Sequence, residues 1–221
     1  MGGAPQAKKS ADPLAKTACL LFQIRPMTPR ILVFPGSNRA GAYSGKVADA
    51  AARELARIEC DVTRISLIDY PLPIMDEDLQ RHEGIPENAI KLGRLISAHD
   101  GLLIASPEYN GSVPPLLKNA IDWVSRISRD GDKALNPFAG KIVGLCSSSP
   151  GNFAGILALS HLRPVLIRLG MQVVSEQCSV ANAETAFNPD GSLKDARAVA
   201  NLAKVCKALA DQAAIAADAR R

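Results

Sequence analysis

From position 30 onward, apolar residues fall into two alternating rhythms: short unbroken runs, and longer stretches where they recur every three or four positions. The run at 30–35 predicts a first strand. Val47, Ala51, Leu55 and Ile58 then carry a helix over 44–59. A second strand over 61–67 is weakened by Thr63 and Arg64, and the proline-rich segment 69–78 reads as a surface loop. Pro86 opens a helix over 86–98, and 101–106 is a buried strand. Pro114 and Pro115 open a helix over 114–127 whose inner face carries Leu117, Ala120, Ile121 and Val124. A fourth strand at 141–147, a helix over 153–169 closed by Gly170, a fifth strand at 171–175 and an alanine-rich helix over 193–215 complete the chain. There are no internal repeats.

Five short apolar strands separated by helices require a parallel sheet covered on both faces. Right-handed crossovers then give an α/β fold, a three-layer α/β/α sandwich. With five strands, the flavodoxin-like order 2-1-3-4-5 is favoured over the six-stranded dinucleotide fold. In that order the chain reverses between strands one and three, and ligands sit beyond the carboxyl ends of the strands at that point.

Three loops at such ends carry unusual chemistry. The first, Gly36-Ser37-Asn38-Arg39-Ala40-Gly41-Ala42-Tyr43-Ser44, joins a strand to a helix start. Its backbone N–H groups and helix dipole suit an anion, Gly36 and Gly41 permit the turn, and Ser37, Ser44 and Arg39 offer donors to phosphate oxygens. It lacks the Gly-Lys-Ser/Thr of a Walker loop and the Gly-x-Gly-x-x-Gly of a dinucleotide fingerprint. The second loop is Ser106-Pro107-Glu108-Tyr109-Asn110-Gly111-Ser112, and the third Ser147-Ser148-Ser149-Pro150-Gly151-Asn152. Each also has a plainer reading. The second reads equally as a turn that starts a helix, with Glu108 solvated and Tyr109 capping the core; the third reads as a Ser/Gly turn. Trp123 reads as core or subunit packing, and Lys118 with Asp122 as a surface pair.

Composition narrows the function classes. Aromatic residues make up 4% of the chain, with one tryptophan, which argues against a base-stacking nucleic-acid surface. The net charge of +4 sits mostly at the front, where Lys8, Lys9, Lys16 and Arg25 face Asp12 alone, so no basic stripe remains for DNA or RNA. Cys19, Cys60, Cys146, Cys178 and Cys206 have neither metal-ligand nor redox-motif spacing and read as free thiols of a reducing, cytoplasmic compartment. His82, His99 and His161 are isolated, so no metal site is expected. Residues 1–28 read as a disordered extension or an upstream translation start, with Met27 the more natural beginning. The run Cys19-Leu20-Leu21-Phe22 is too short for a signal or a membrane span. Residues 29–221 form the single domain.

The Pro-Glu-Tyr-Asn loop followed by Leu-Lys-Asn-Ala-Ile-Asp-Trp, within 106–126, closely resembles the NAD(P)H-dependent FMN reductase family, with its quinone, azo-dye and chromate reductases. The Gly-Ser-x-Arg at Gly36 to Arg39 matches its phosphate motif, 72–78 its second connection and Ser149-Pro150-Gly151 its third flavin loop. The resemblance implies bound FMN, NAD(P)H as co-substrate, a small-molecule acceptor, and a homodimer or homotetramer with flavin sites at subunit interfaces. By position, Ser37, Arg39 and Ser44 would hold the phosphate. Pro107, Glu108, Tyr109 and Asn110, with Gly111 next in the loop, would line the isoalloxazine ring, and Ser147, Ser148, Ser149 and Gly151 would border its other side. The flavin carries the chemistry, so no catalytic side chain is assigned. Family members often have Ser where this chain has Ala42 and Asn where it has Ser44, which removes one hydroxyl contact. The alternative is a non-enzymatic flavodoxin-type electron carrier, although such carriers are usually strongly acidic. A flavin-binding regulatory subunit is a third reading. The physiological acceptor, and the choice between NADH and NADPH, stay open.

Overall fold

The computed structural model describes residues 27–220. The expectation of an extension over 1–28 therefore lies outside the described residues, apart from its last two. Five parallel strands form one sheet: β1 (Arg30–Pro35), β2 (Asp61–Arg64), β3 (Gly101–Pro107), β6 (Ile142–Ser148) and β7 (Gln172–Val180). Their order is β2-β1-β3-β6-β7, the flavodoxin-like 2-1-3-4-5 arrangement counted within the sheet. The three central strands are buried along almost their whole length, which is why they are apolar without alternation.

Alternate residues of each central strand serve opposite layers. Ile31 and Val33 of β1 face α1 (Tyr43–Arg57) and α6 (Ala196–Asp218), where Val47, Ala51 and Leu55 meet Val205 and Leu209. Leu32 and Phe34 face the other layer, built from α3 (Glu87–Ala98), α4 (Pro115–Ser125) and α5 (Ile156–Arg168). Trp123 is fully buried on α4, and its indole N–H donates to Pro73 O at 2.8 Å. Asn119 clamps the same segment, donating to Pro73 O at 2.9 Å and accepting from Met75 N at 2.7 Å. The proline-rich loop is thus pinned to the domain by α4, and Trp123 is a packing residue. Lys118 and Asp122 pair on α4 at 2.8 Å.

The elements depart from the sequence pattern where burial is slight. α2 (Glu77–Glu83) has no buried residue and so no apolar period. It is held by its N-cap: Asp76 accepts from Asp78 N and Leu79 N at 2.7 and 3.2 Å. A hairpin of β4 (Arg129–Asp130) and β5 (Lys133–Ala134) is likewise exposed. β2 ends at Arg64 and gives way to a 3-10 turn at Leu67–Asp69. Edge strand β7 runs on to Val180 through Ser175, Glu176 and Gln177, polar residues that an edge tolerates. Its pairing sets Cys178 opposite Cys146, two buried thiols far apart in sequence.

Lys141, just before β6, is buried with its ammonium donating to the carbonyls of Ser97 and His99 at 2.9 and 2.5 Å. Burial, and then the nearby Arg220, lower its pKa from 10.5 to about 8. The unfolded chain keeps its proton up to the higher value, so between about pH 8 and 10.5 it binds more protons than the folded one. Stability contributed through Lys141 should therefore rise with pH across that window. Urea midpoints measured from pH 7.5 to about 10.5 should show the wild type gaining on Lys141→Met; a constant difference between the two proteins refutes it.

Candidate functional site

The first loop leaves β1 under close constraint. Gly36 N–H donates to Ala105 O at 2.8 Å, and a Cβ at Gly36 would stand 3.1 Å from Leu117 Cδ2 and 3.2 Å from Pro107 Cδ. Gly36 is therefore favoured by close approach to the second loop and not by an unusual turn. Beyond it, Arg39 N–H donates to Ser37 Oγ at 3.3 Å and Ala42 N–H to Arg39 O at 3.0 Å. α1 then begins with Ala42 as its N-cap, which offers no side-chain acceptor, and with no acid in its first turn. The first N–H groups of a helix have no intrahelical acceptor, so they stay available at this end. Ser44 is 2% exposed, and its Oγ has no hydrogen-bond partner among the described residues. The Arg39 guanidinium lies 5.4 Å from the Tyr43 ring centroid.

The second loop folds on an Asn-Gly turn. Tyr109 and Ser112 exchange both backbone hydrogen bonds, at 3.1 and 3.0 Å, while Asn110 and Gly111 have φ of 51° and 74°. Two successive left-handed residues make this a type I′ turn, for which Asn-Gly is the preferred pair. The turn leaves Tyr109 49% exposed. Glu108 points inward: its carboxylate accepts the backbone N–H of Ala158 at 3.1 Å. Ala158 lies in the first turn of α5, whose N-cap, Gly155, supplies no side-chain acceptor. Glu108 thus caps α5 from another loop, placing negative charge at a helix N-terminus. Nearby, Ser112 Oγ and His161 Nδ1 are 3.0 Å apart.

In the third loop, alternation along β6 separates neighbouring serines. Ser147 is fully buried, and its hydroxyl donates to Ala154 O and bonds with Ser179 Oγ, both at 2.8 Å. Ser148 is 3% exposed, and its Oγ has no partner among the described residues. Ser149 N–H donates to Val180 O at 3.1 Å, and Ser149 Oγ accepts from Gly151 N–H at 3.2 Å.

The three loops meet in one cleft of about 140 Å³ at the carboxyl ends of β1, β3 and β6. Ser37, Arg39 and Ser44 line it from the first loop, Pro107, Glu108 and Tyr109 from the second, and Ser148 and Ser149 from the third. The other four expected site residues lie outside its lining. Asn110 and Gly111 form the turn tip, Ser147 lies beneath the third loop, and Gly151 supports Ser149. Ala42, Tyr43 and Pro150 line the cleft as well, although the sequence assigns none of them a contact. The signal for Tyr43 was its place beside Ser44 at the helix start. Pockets that enclose a drug-sized ligand span roughly 300–1,000 Å³, so a cofactor seated here keeps part of itself open to solvent.

Residues 29–185 match the family described as NADPH-dependent FMN reductase. The chain is 36% identical over 147 residues to a quinone reductase of Escherichia coli K12, covering 66% of this chain and 74% of that protein. It is 33% identical over 171 residues to an NAD(P)H-dependent FMN reductase of Pseudomonas aeruginosa, covering 76% and 86%. Among solved structures it is similar to FerB, a flavoenzyme NAD(P)H:acceptor oxidoreductase from Paracoccus denitrificans, with a TM-score of 0.68 and 29% identity over 84% of this chain and 97% of that one.

The bond from Glu108 to α5 generates a stability expectation. Glu108→Ala leaves the Ala158 N–H unsatisfied and should cost about 1 kcal/mol, the scale of a lost N-cap. Glu108→Gln keeps an acceptor oxygen and should cost less. Urea denaturation with amide exchange at Ala158 distinguishes them, and equal exchange in both variants contradicts the cap.

Proposed function

This chain belongs to the NADPH-dependent FMN reductase family, and from that premise we propose that the three-loop cleft holds FMN and that NAD(P)H and a small acceptor use its open side in turn. The chain is an NAD(P)H-dependent oxidoreductase with FMN as its cofactor. FMN held in the cleft would supply the redox chemistry, two-electron exchange between NAD(P)H and the acceptor.

One observation carries the assignment of the cleft. The uncapped start of α1 presents N–H donors, the buried Ser44 hydroxyl has no partner, and Arg39 borders the same hollow. A buried polar group without a partner is costly, and a phosphate seated there gives Ser44 its acceptor. In this reading Arg39 and Ser37 complete the phosphate shell, with the Arg39 fork backed by the Tyr43 ring. Ala42, which has no hydroxyl, leaves the helix N–H groups to do more of the holding. Ser148, whose hydroxyl is also unpartnered, and Ser149 bind polar edges of the cofactor on the far side. Pro107 and the half-exposed Tyr109 offer flat apolar surface to the ring. Glu108 fixes the spacing of the second and third loops through Ala158 and does not supply a proton.

The acceptor class we favour is a quinone or a free flavin, flat molecules that suit a shallow open cleft. An oligomer of this chain, dimer or tetramer, is supported by the apolar rim beside the cleft, where Phe153 is 78% exposed, Leu157 48% and Ile156 41%. We assign the enzyme to a reducing compartment, consistent with the free thiols at Cys60, Cys146, Cys178 and Cys206. Among the described residues no helix is long and apolar enough to cross a membrane.

Protein loaded with FMN should oxidise NADH or NADPH with a quinone as acceptor. Retention of no flavin, or oxidation of neither nucleotide, overturns the reading. Ser44→Ala should weaken FMN binding about tenfold, the loss of one hydrogen bond to a charged group. Because Ser44 Oγ has no protein partner, the urea midpoint of the flavin-free variant should equal or exceed the wild type's. A destabilised flavin-free variant with unchanged flavin affinity would instead make Ser44 structural.

A further inference from the structure

The opposite pole of the sheet holds a second polar hollow that the proposed reaction does not use. It measures about 380 Å³ and lies by the starts of β1, β3 and β6. Arg30, Lys141 and Arg220 line it with one carboxylate, Asp100. Asp100 is 7% exposed and already engaged: it accepts from Arg30 N–H at 2.9 Å and lies 3.5 Å from Arg30 Nε and 3.6 Å from an Arg220 nitrogen. Among the described residues, three cations around one shared carboxylate leave a formal surplus of two positive charges. The carboxyl ends of α3 and α6 approach the same pole and offset about half a charge each, so roughly one positive charge remains.

Two further features separate this hollow from a simple helix cap. Lys141 spends two of its three N–H groups on the carbonyls of Ser97 and His99, leaving one donor. Ser97 lines the hollow, and its Oγ is shielded from solvent with no partner. A buried hydroxyl of that kind calls for an acceptor that the protein does not supply. The two arginines are partly exposed; Arg220 spends one N–H on Gly140 O at 3.2 Å, and the remaining donors of both forks face the mouth.

We propose that this hollow is a second anion site, distinct from the flavin cleft, which binds the phosphate group of a small phosphorylated molecule between Ser97, Lys141, Arg30 and Arg220. The volume exceeds what a lone oxyanion fills and lies within the range of small-molecule pockets. The tetrahedral group accepts from the Ser97 hydroxyl and the remaining Lys141 N–H, and the guanidinium groups close over its outer oxygens. Asp100 repels the ligand if it approaches from the floor. It also holds both arginines at the mouth, so the anion enters above it.

The test is a titration with inorganic phosphate and, separately, with glycerol phosphate. It uses protein saturated with FMN, so that the flavin cleft does not report, and potassium chloride at matched ionic strength as the control. Differential scanning fluorimetry and phosphorus NMR line broadening read the binding. A saturable rise in melting temperature is expected with either ligand, and the tighter of the two identifies the source of the phosphate. Arg220→Ala should weaken that binding about tenfold and Ser97→Ala about threefold, with the flavin affinity of both unchanged. Arg220→Lys, which keeps the charge but loses the fork, should lie between wild type and Arg220→Ala. Urea midpoints without phosphate separate lost binding from lost folding. A response no larger than that to chloride, or one that is the same in wild type, Ser97→Ala and Arg220→Ala, overturns the proposal.

Discussion

Gly36 N–H binds Ala105 O at the point where β1 leaves the sheet beside β3, and the rest of the cleft depends on that contact. With no side chain at 36, the backbone of the first loop lies against Pro107 and Leu117. Any Cβ there presses on the ring that begins the second loop and on the first core residue of α4. The second loop is in turn tied to the third by Glu108 and the start of α5. The third is tied to β7 through Ser147 and Ser179. The three loops are therefore a chain of contacts anchored on one glycine, and a shift at its start is felt in all of them.

Two helix N-termini at this pole are treated differently. α5 lacks a capping side chain of its own and receives the Glu108 carboxylate. α1 also lacks one and receives nothing from the described residues. The consequence is electrostatic. Among the described residues, the one carboxylate lining the cleft is committed to α5, so its charge is partly offset, while the start of α1 and Arg39 keep their positive character. An anion that enters finds unopposed donors on the first loop.

The sheet order was legible because its central strands are buried on both faces, where apolar runs leave little ambiguity. α2 and the β4–β5 hairpin were not, because periodicity records burial and these elements bury almost nothing. The signals present were local: Asp76 ahead of Glu77 and Asp78 for the helix, and Gly-Asp at 131–132 for the hairpin. The three site loops were legible as loops, yet the orientation of individual residues within them was not. Ser147 and Ser148 read alike in sequence, but strand alternation turns one into the fold and the other toward the cleft. The Asn110-Gly111 dipeptide marks a tight turn that carries both residues to a tip. The bond from Ala158 to Glu108, which also lines the cleft, depends on a pairing fifty residues away that no local pattern encodes.

The features that make the cleft fit an anion also weigh against the stability of the empty chain. An absent helix cap costs about 1 kcal/mol, and a buried hydroxyl without a partner costs on the order of 1–3 kcal/mol. Both occur at the start of α1, and Ser148 adds a second hydroxyl of the same kind across the cleft. A fold whose net stability is only about 5–15 kcal/mol carries such defects where the surrounding core over-determines the backbone. Here Val47, Ala48 and Ala51 of α1 are fully buried against the sheet and keep the helix in place without help from its first turn. Packing along the helix thus fixes the position of its uncapped end. The ligand that satisfies that end need not organise the site, so more of its binding energy remains for affinity.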